Sequence, residues 1–302
     1  MMKSVNMITV FTPTYNRGYL LKQLYESLLI QKDVDFEWLI VDDGSTDNTK
    51  TIVQEFINQE KISIRYFYKP NGGKHTAINY GVQKAVGGLF FIVDSDDFLT
   101  ENAVFLKYEA WQKIKDNDKI AGIIGLSQFT NGNLVGDAFL KENWQIPFVD
   151  YYLKYKFNGD KSVAFKTEIM KQYPFPEKEG VRYVFEAVVW HEMSKKYDVL
   201  CLNKVIQLKE YLEDGITDSS YKLWYLKSMA FSFYNLIDNN TYPFLKYPNK
   251  FIWNFICLAI NSLLTKENYF WQLKGFQKKA IYLFFYPRAY FSFLRMRNKI
   301  II

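Results

Sequence analysis

The stretch that decides the fold is LFFIVDSDDFLT, residues 89–100, in which five apolar residues lead directly into three carboxylates. A short strand that is apolar on both faces is typical of the buried centre of a parallel sheet. The carboxylates of Asp94, Asp96 and Asp97 repel one another, and solvent, protonation or a bound cation has to relieve that repulsion. In an extended segment, Asp94 and Asp96 point to the same side. This pair favours a Mg²⁺ or Mn²⁺ site, and the alternative is that Asp96 and Asp97 cap a helix beginning near Leu99.

The sequence around this stretch predicts an α/β fold. Short apolar runs alternate with helical periodicity, which is typical of a mostly parallel sheet flanked by helices. The predicted strands are 8–13, 36–41, 62–69, 89–93, 121–127 and 199–211. The predicted helices are 19–32, 49–60, 101–116 and 183–197, together with a glycine turn that enters a helix within 71–85.

Polar clusters follow three of the predicted strands, at TPTYNR (12–17), DDGS (42–45) and DSDD (94–97). Ligands of such sheets bind beyond the carboxyl ends of the strands, so we expect the three clusters to converge on one crevice. Asp42 would accept hydrogen bonds from a nucleobase or ribose, although a turn followed by a helix cap is the better explanation of its segment taken alone. Lys74, near a helix N-terminus, would bind a diphosphate.

Several familiar motifs are incomplete. NGGKHT lacks the first glycine and the final Ser/Thr of a phosphate loop, because Tyr68 and His75 occupy those positions. WHEMSKK lacks the second histidine of a zinc protease, because the residue there is Lys195. With only two histidines in the chain, a histidine-based metal site or triad is not supported. Glu186 and Glu192 remain as candidate bases on the predicted helix 183–197, or they are ordinary solvated helix residues.

Charge divides the chain into two parts. The net charge is +6 over 302 residues, but residues 222–302 alone hold twelve Lys/Arg against two Asp/Glu and 22 of the 56 aromatic residues. We therefore predict a catalytic domain over residues 1–221 and a helical, basic and aromatic extension over residues 222–302. The N-terminus reads directly into a strand without the apolar region of a secretory signal, so we expect a cytoplasmic protein.

The extension has three predicted features. The uncharged stretch 251–264 is too short to span a membrane and predicts a buried or interfacial helix. Pro287 is expected to divide the last segment into two helices. Cations interleaved with aromatic residues favour peripheral binding to the inner face of the cell membrane, with no nucleic-acid partner. The alternatives are packing on the catalytic domain or on a second copy, as a homo-oligomer.

Four stretches together resemble the N-terminal half of family 2 glycosyltransferases of the bacterial polysaccharide type, which have the GT-A fold. They are VFTPTYNRGYLLKQLYESLLIQ, WLIVDDGSTDNT, NGGKHTAINYG and FFIVDSDD, and the resemblance covers roughly residues 7–215. It implies a nucleoside pocket in which Asp42 faces the base. The residues implied to line this pocket are Thr12, Pro13, Tyr15, Arg17 and Asp42.

The resemblance also implies a diphosphate and metal site. Lys74 and Asn79 would lie near the donor diphosphate or ribose. Asp94 and Asp96 would form the DXD motif of the family, with Asp96 as the closer metal ligand and Asp94 also facing the donor. The cluster of negative charge would then be neutralised by a Mn²⁺ or Mg²⁺ ion that arrives with the nucleotide-sugar.

The catalytic base of the family usually lies in an acidic pair at the start of a helix. In the matching stretch, GVRYVFEAVVW, Glu186 is followed by Ala187, so only one carboxylate of the pair is present. The resemblance implies Glu186 as the base. Asp214 is the reserve candidate.

The function implied by the resemblance is inverting, metal-dependent transfer of one sugar from a nucleotide-diphosphate sugar, with UDP-sugar as first choice. The acceptor would be a hydroxyl of a glycan or lipid-linked acceptor in surface polysaccharide synthesis, and the absence of a QxxRW signature favours addition of a single sugar. One alternative is a sugar-1-phosphate nucleotidyltransferase, although TPTYNRG is not its expected glycine- and arginine-rich loop. Another is a non-catalytic nucleotide- or nucleic-acid-binding module.

Overall fold

A computed structural model describes residues 7–210 and 222–299 of the chain. Contacts divide these residues into two compact units. The first comprises residues 7–174 and 193–210, and the second comprises residues 175–192 and 222–299. Residues 175–192 were predicted to belong to the domain that contains the sheet, whereas the contacts group them with the C-terminal helices.

The first unit contains nine strands and six helices among its described residues. The strands are β1 (Ile8–Thr14), β2 (Phe36–Asp42), β3 (Ser63–Tyr68), β4 (Leu89–Ile92), β5 (Asp97–Leu99), β6 (Ile120–Phe129), β7 (Trp144–Ile146), β8 (Lys161–Lys166) and β9 (Asp198–Lys209). The helices are α1 (Gly18–Leu29), α2 (Thr49–Asn58), α3 (Lys74–Lys84), α4 (Ala103–Ile114), α5 (Phe148–Leu153) and α6 (Thr167–Gln172).

The strands form one mixed sheet in the order β3-β2-β1-β4-β8-β6-β9-β5, with β7 paired to β9. The first four strands are parallel, as predicted from their alternation with helices. Beyond β4 the sheet departs from the predicted mostly parallel arrangement, because β8 runs antiparallel to both β4 and β6. The strands β6 and β9 are again parallel, while β5 and β7 run antiparallel to β9.

The core explains why the N-terminal strands are so apolar. All seven residues of β1 and all four of β4 are buried, so both strands lie at the covered centre of the sheet. Helix α1 buries Leu21, Leu24 and Leu28 completely, at the spacing expected for one helix face. Burying each such leucine contributes about 1.5–3 kcal/mol, so this face fixes α1 against the sheet.

The second unit consists of helices α7 (Ala187–Met193, whose last residue belongs to the first unit), α8 (Leu223–Asp238), α9 (Pro248–Thr265) and α10 (Phe276–Met296), followed by a short 3-10 helix, Arg297–Lys299. Helix α9 packs against both α8 and α10. It contains the uncharged stretch 251–264 and buries most of that stretch, as predicted. Among the described residues, no helix is both long enough and apolar enough to cross a membrane.

The predicted break at Pro287 is wrong, because α10 continues through this proline. Proline has no backbone N–H, so the carbonyl four residues earlier in the helix loses its usual donor. Pro287 is exposed, so water can solvate that carbonyl instead. The flanking residues Tyr282 and Ala289 are both buried. Their packing holds the two halves of α10 as one helix.

Candidate active site

The carboxylates of Asp94, Asp96 and Asp97 lie together beyond β4. Each offers one oxygen, and the three oxygens lie within 4.8 Å of one another. Asp97 is the first residue of strand β5, and its backbone N–H donates to the Asp94 carbonyl at 3.1 Å. The alternative in which Asp96 and Asp97 cap a helix near Leu99 is therefore wrong, because a turn and a strand follow β4.

Two basic side chains from other parts of the first unit neutralise this cluster. Lys74 Nζ lies 2.8 Å from the Asp94 carboxylate, and Arg17 Nη1 lies 2.5 Å from Asp96 Oδ2. Lys74 is the first residue of α3, and Arg17 directly precedes α1, so the two helix N-termini point these cations at the end of β4. The three predicted polar clusters do converge at one edge of the sheet.

Asp97 has its own partners on β9. It accepts hydrogen bonds from Lys209 Nζ at 2.9 Å and from the Gln207 side-chain amide. Asp97 is 5% exposed and the Lys209 side chain 19% exposed, so this ion pair is largely shielded from water. Neither partner was predicted from the sequence, because β5 and its antiparallel pairing with β9 were not predicted.

These surroundings shift the pKa values of the carboxylates in opposite directions. Burial raises the pKa of Asp94, but the nearby Lys74, Lys209 and Arg17 outweigh burial and hold that pKa below its usual value. Burial also raises the pKa of Asp97. Lys209 lowers this pKa, the charges of Asp94 and Asp96 raise it, and the resulting pKa is about 7. Asp94 is thus held ionised more firmly than Asp97.

The carboxylate oxygens fit a hard divalent cation. Mg²⁺ and Mn²⁺ take oxygen ligands, and Mg²⁺ is commonly held by one or two protein carboxylates together with substrate phosphates. Asp94 and Asp96 are both half-buried and so remain accessible to an ion. Asp97 is buried and already bonded to two side chains of β9, which makes it a less suitable ligand.

The glycine turn before Lys74 is held by Asp43, a residue that the sequence analysis did not select. Asp43 Oδ1 accepts from the Gly72 N–H at 3.0 Å, and Oδ2 accepts from the Gly73 N–H at 2.6 Å. Gly73 has φ +95°, which a residue with a side chain rarely adopts. Lys69 Nζ lies 2.6 Å from Asp43 and completes the network. Asp43 therefore fixes the start of α3 and with it the position of Lys74.

Asp42 lies at the end of β2 and is 1% exposed. Its Oδ1 accepts from the Ser45 N–H at 2.7 Å, and its Oδ2 accepts from Tyr66 Oη at 2.6 Å. Burial and this hydrogen bond to Asp42 raise the pKa of Tyr66. Asp42 is thus held in one orientation by a turn and by a neighbouring strand, β3.

The remaining residues of the predicted nucleoside pocket lie on or just after β1. Thr12 and Pro13 are buried, and Thr12 Oγ1 accepts a hydrogen bond from Trp38 Nε1 at 3.0 Å. Tyr15 is 48% exposed beyond the strand end. Asn79 is half-buried on α3, in the second turn after Lys74.

The candidate bases lie in the second unit. Glu186 is half-buried directly before α7 and accepts a hydrogen bond from Trp190 Nε1 at 3.3 Å. Glu192 accepts from Thr241 Oγ1 at 3.1 Å. The reserve candidate Asp214 lies outside the described residues.

Several known proteins are similar to the chain in sequence. GlyG, a glycosyltransferase of Streptococcus pneumoniae serotype 4, is 28% identical over 74% of this chain and 77% of its own length. A Campylobacter jejuni protein named GalNAc(5)-diNAcBac-PP-undecaprenol beta-1,3-glucosyltransferase is 29% identical over 63% of this chain and 60% of its own length. An uncharacterized glycosyltransferase of Rickettsia felis is 34% identical over 42% of this chain, which spans only 23% of that relative's length.

Solved structures share the fold. S. aureus TarS 1-349, crystallised with UDP-GlcNAc, superposes with a TM-score of 0.60 at 19% identity, over 96% of this chain and 81% of that one. The mannosyltransferase PcManGT from Pyrobaculum calidifontis, in complex with GDP-Man and Mn²⁺, gives a TM-score of 0.55 at 15% identity, over 96% and 86% of the two chains. These similarities confirm the predicted GT-A fold.

The family model described as Glycosyl transferase family 2 matches residues 9–173. The match runs from β1 to the end of α6, and it includes the acidic cluster, Arg17 and Lys74. The resemblance recognised in the sequence is thereby confirmed, and the chain belongs to glycosyl transferase family 2.

Proposed function

We propose that this protein is an inverting, metal-dependent glycosyltransferase that moves one sugar from a UDP-sugar to a hydroxyl of a lipid-linked or glycan acceptor. The observation that carries the proposal is the arrangement beyond β4. Carboxylate oxygens of Asp94 and Asp96 lie within 4.8 Å of each other, and each carboxylate contacts a basic side chain, Lys74 or Arg17. A nucleotide-sugar requires carboxylates that hold its metal ion and, beside them, basic side chains that bind its diphosphate.

The donor would bind across the ends of β1, β2 and β4. Asp42, which is held by Ser45 and Tyr66, would accept hydrogen bonds from the base or ribose. Thr12, Pro13, Tyr15 and Arg17 would line the nucleoside pocket, and Asn79 would lie near the ribose or diphosphate. A UDP-sugar is the first choice because the related fold of TarS was crystallised with UDP-GlcNAc.

Asp94 and Asp96 would hold the metal, as Mn²⁺ or Mg²⁺. When bound, the ion supplies Lewis-acid stabilisation of the charge that develops on the leaving diphosphate. Lys74 contributes a fixed cation beside the same carboxylates, placed by the first turn of α3. Arg17 would exchange its contact with Asp96 for one with the incoming nucleotide, because both groups compete for the same positive charge.

Glu186 is proposed as the base that accepts the proton of the attacking hydroxyl. Attack on the anomeric carbon from the face opposite the nucleotide breaks the sugar–phosphate bond and inverts the configuration. The assignment rests on the family resemblance and on the carboxylate itself, whose Oε2 is oriented by the Trp190 ring N–H.

A lipid-linked acceptor in surface polysaccharide synthesis is supported by the name of the Campylobacter jejuni relative, which specifies an undecaprenol-linked substrate. Such an acceptor would place the reaction at the inner face of the cell membrane. The enzyme would then work as a cytoplasmic protein bound peripherally to that surface.

The first test is thermal unfolding of the full chain with UDP, GDP, CMP and dTDP, each with and without Mn²⁺. We expect UDP to raise the melting temperature only with metal, and the shift to vanish in Asp96→Asn. Asp116→Asn, an exposed acidic residue after α4, is the matched control and should keep the full shift.

The second test follows UDP release and the anomeric configuration of the product with UDP-sugars and a prenyl-diphosphate-linked glycan. Release of UDP with an inverted product supports the proposal. Retention of configuration, or release of inorganic diphosphate as from a nucleotidyltransferase, would refute it. Metal-dependent UDP binding without turnover of any donor would point to a binding module instead.

A further inference from the structure

Helix α10 carries an apolar face that points outward. The exposed residues of this outer face follow one another at helical spacing along the 21 residues of the helix. They are Phe276, Ala280, Leu283, Phe284, Pro287 and Phe291. The exposed fractions are 85% for Phe276, 77% for Phe284 and 68% for Phe291. Large aromatic side chains in a row on one exposed face are typical of an interaction surface.

The opposite side of α10 packs against protein. Tyr282 and Ala289, two turns apart, are buried, and α10 contacts α9. On this inner side Lys278 Nζ bonds to Asp238, at 2.7 Å to its carbonyl and 3.4 Å to its carboxylate. The helix is therefore held by one face, and the outer face is not needed for that packing.

Cations border the outer face. Arg288 and Arg295 are exposed beside it, and Lys279 lies 5.6 Å from the ring of Trp271, which is itself 71% exposed. Residues 268–299 contain seven Lys/Arg and no Asp/Glu. Two of these seven, Lys274 and Lys278, pair with Asp238. The surface therefore combines exposed aromatic side chains with the bordering cations Lys279, Arg288 and Arg295.

We propose that the outer face of α10 binds the surface of an anionic lipid bilayer, with the helix axis in the plane of the membrane. Aromatic and leucine side chains would enter the acyl boundary while the cations contact lipid phosphates. Four cations are distributed along α10, at 278, 279, 288 and 295, and a helix charged along its whole length favours the interface over the hydrocarbon core.

A second copy of the chain would be a poorer occupant. A symmetric contact through the same face would bring Arg288, Arg295 and Lys279 of the two copies together, and like charges oppose that association. An anionic surface instead turns the same cations into favourable contacts. The inference does not depend on the identity of the sugar donor or of the base.

The test is co-sedimentation of the full chain with vesicles of phosphatidylcholine alone and with vesicles containing an equal share of phosphatidylglycerol. We expect the parent to bind the anionic vesicles, and this binding should weaken as salt is added.

The double variant Phe284→Ser/Phe291→Ser should lower partitioning onto the anionic vesicles at least about tenfold, because two exposed rings lose their apolar contact. Arg288→Glu/Arg295→Glu should lower it by about tenfold or more. Leu140→Ser, at a side chain 65% exposed in the first unit, is the control and should bind as the parent does.

A second measurement keeps the inference testable if a double variant folds poorly. Lipids with brominated acyl chains should quench the tryptophan fluorescence of the parent, and Trp271→Phe should lose part of that quenching. Equal binding of all variants, equal binding to neutral vesicles, or no binding at all would overturn the inference. A concentration-dependent dimer that Phe284→Ser/Phe291→Ser dissociates, without vesicle binding, would assign the face to a contact between copies. If the parent transfers sugar but does not bind vesicles, the proposed sugar transfer stands, and this inference falls together with the proposed peripheral binding.

Discussion

Lys74 Nζ lies 2.8 Å from the carboxylate of Asp94, which joins the first residue of α3 to the turn that follows β4. The lysine neutralises the carboxylate that the family resemblance assigns to the metal. In the proposed function, an arriving Mn²⁺ ion would therefore compete with Lys74 for Asp94. An arriving diphosphate would give the displaced ammonium a new partner, so ion and nucleotide should bind cooperatively.

Replacing Lys74 by methionine should separate these two effects. Mn²⁺ alone should bind Lys74→Met at least as tightly as the parent, because its competitor for Asp94 is gone. UDP should bind the Mn²⁺-loaded variant more weakly, and kcat/KM should fall about 10²- to 10³-fold, since a fixed cation near the leaving group is lost. Calorimetric titration with Mn²⁺ and then with UDP measures both quantities.

The matched control for Lys74→Met is Lys22→Met, in an exposed helix pair with Glu26 at 3.9 Å. Such surface pairs contribute little, so metal and UDP binding should match the parent. If Lys74→Met retained full affinity for UDP and full turnover, Lys74 would have no role at the diphosphate.

Local patterns predicted the four N-terminal strands and the helices between them. They also predicted that Asp94 and Asp96 lie together at the end of the fourth strand. Both predictions need only periodicity and strand ends, which can be recognised within about ten residues. The partners of the cluster were not predictable in this way. Arg17 is 79 positions from Asp96, and Gln207 is 110 positions from Asp97. These contacts depend on strand order, and no local signal indicates that β5 pairs with β9. Asp43 was missed because a turn explained its segment adequately.

The ion pair between Asp97 and Lys209 should contribute to stability rather than to catalysis. Above pH 7, where Asp97 is ionised, Asp97→Asn would remove the hydrogen-bonded counter-charge of the largely buried Lys209 ammonium, which costs up to about 3–5 kcal/mol of the free energy of unfolding. Asp97→Asn/Lys209→Met should recover a large part of this loss, because no unpaired charge remains. Urea unfolding of the parent, the two single variants and the double variant gives the coupling energy. Strictly additive effects would show that the pair does not interact energetically.

Glu186 and Glu192 allow a matched comparison of the candidate base with a neighbouring helix carboxylate. Glu186→Gln should lower kcat by about 10²- to 10⁴-fold while leaving the metal-dependent UDP shift unchanged, because only proton transfer is lost. Glu192→Gln should keep nearly full turnover, since its carboxylate bonds to Thr241. Steady-state kinetics with both variants decides the assignment. The opposite ranking would transfer the role to Glu192, and full activity of both would exclude this helix as the source of the base.

His191 should contribute a loss of stability in mild acid. Its ring lies buried with Nδ1 2.6 Å from Tyr242 Oη, and burial, assisted by Lys250, lowers its pKa from 6.5 to about 3. In the unfolded chain this histidine takes up a proton near pH 6.5, whereas the folded protein excludes that proton until far lower pH. Its contribution to the free energy of unfolding should therefore decrease as the pH falls below about 6.5, by up to about 1.4 kcal/mol per pH unit. Asp97 contributes with the opposite sign over the same range, because its pKa of about 7 lies above that of an unfolded aspartate. Urea unfolding of the parent and of His191→Asn between about pH 7 and 5 separates the two, because only the histidine differs between the proteins. The stability of His191→Asn should rise relative to that of the parent as the pH falls, and an unchanged difference between them would refute this role of His191.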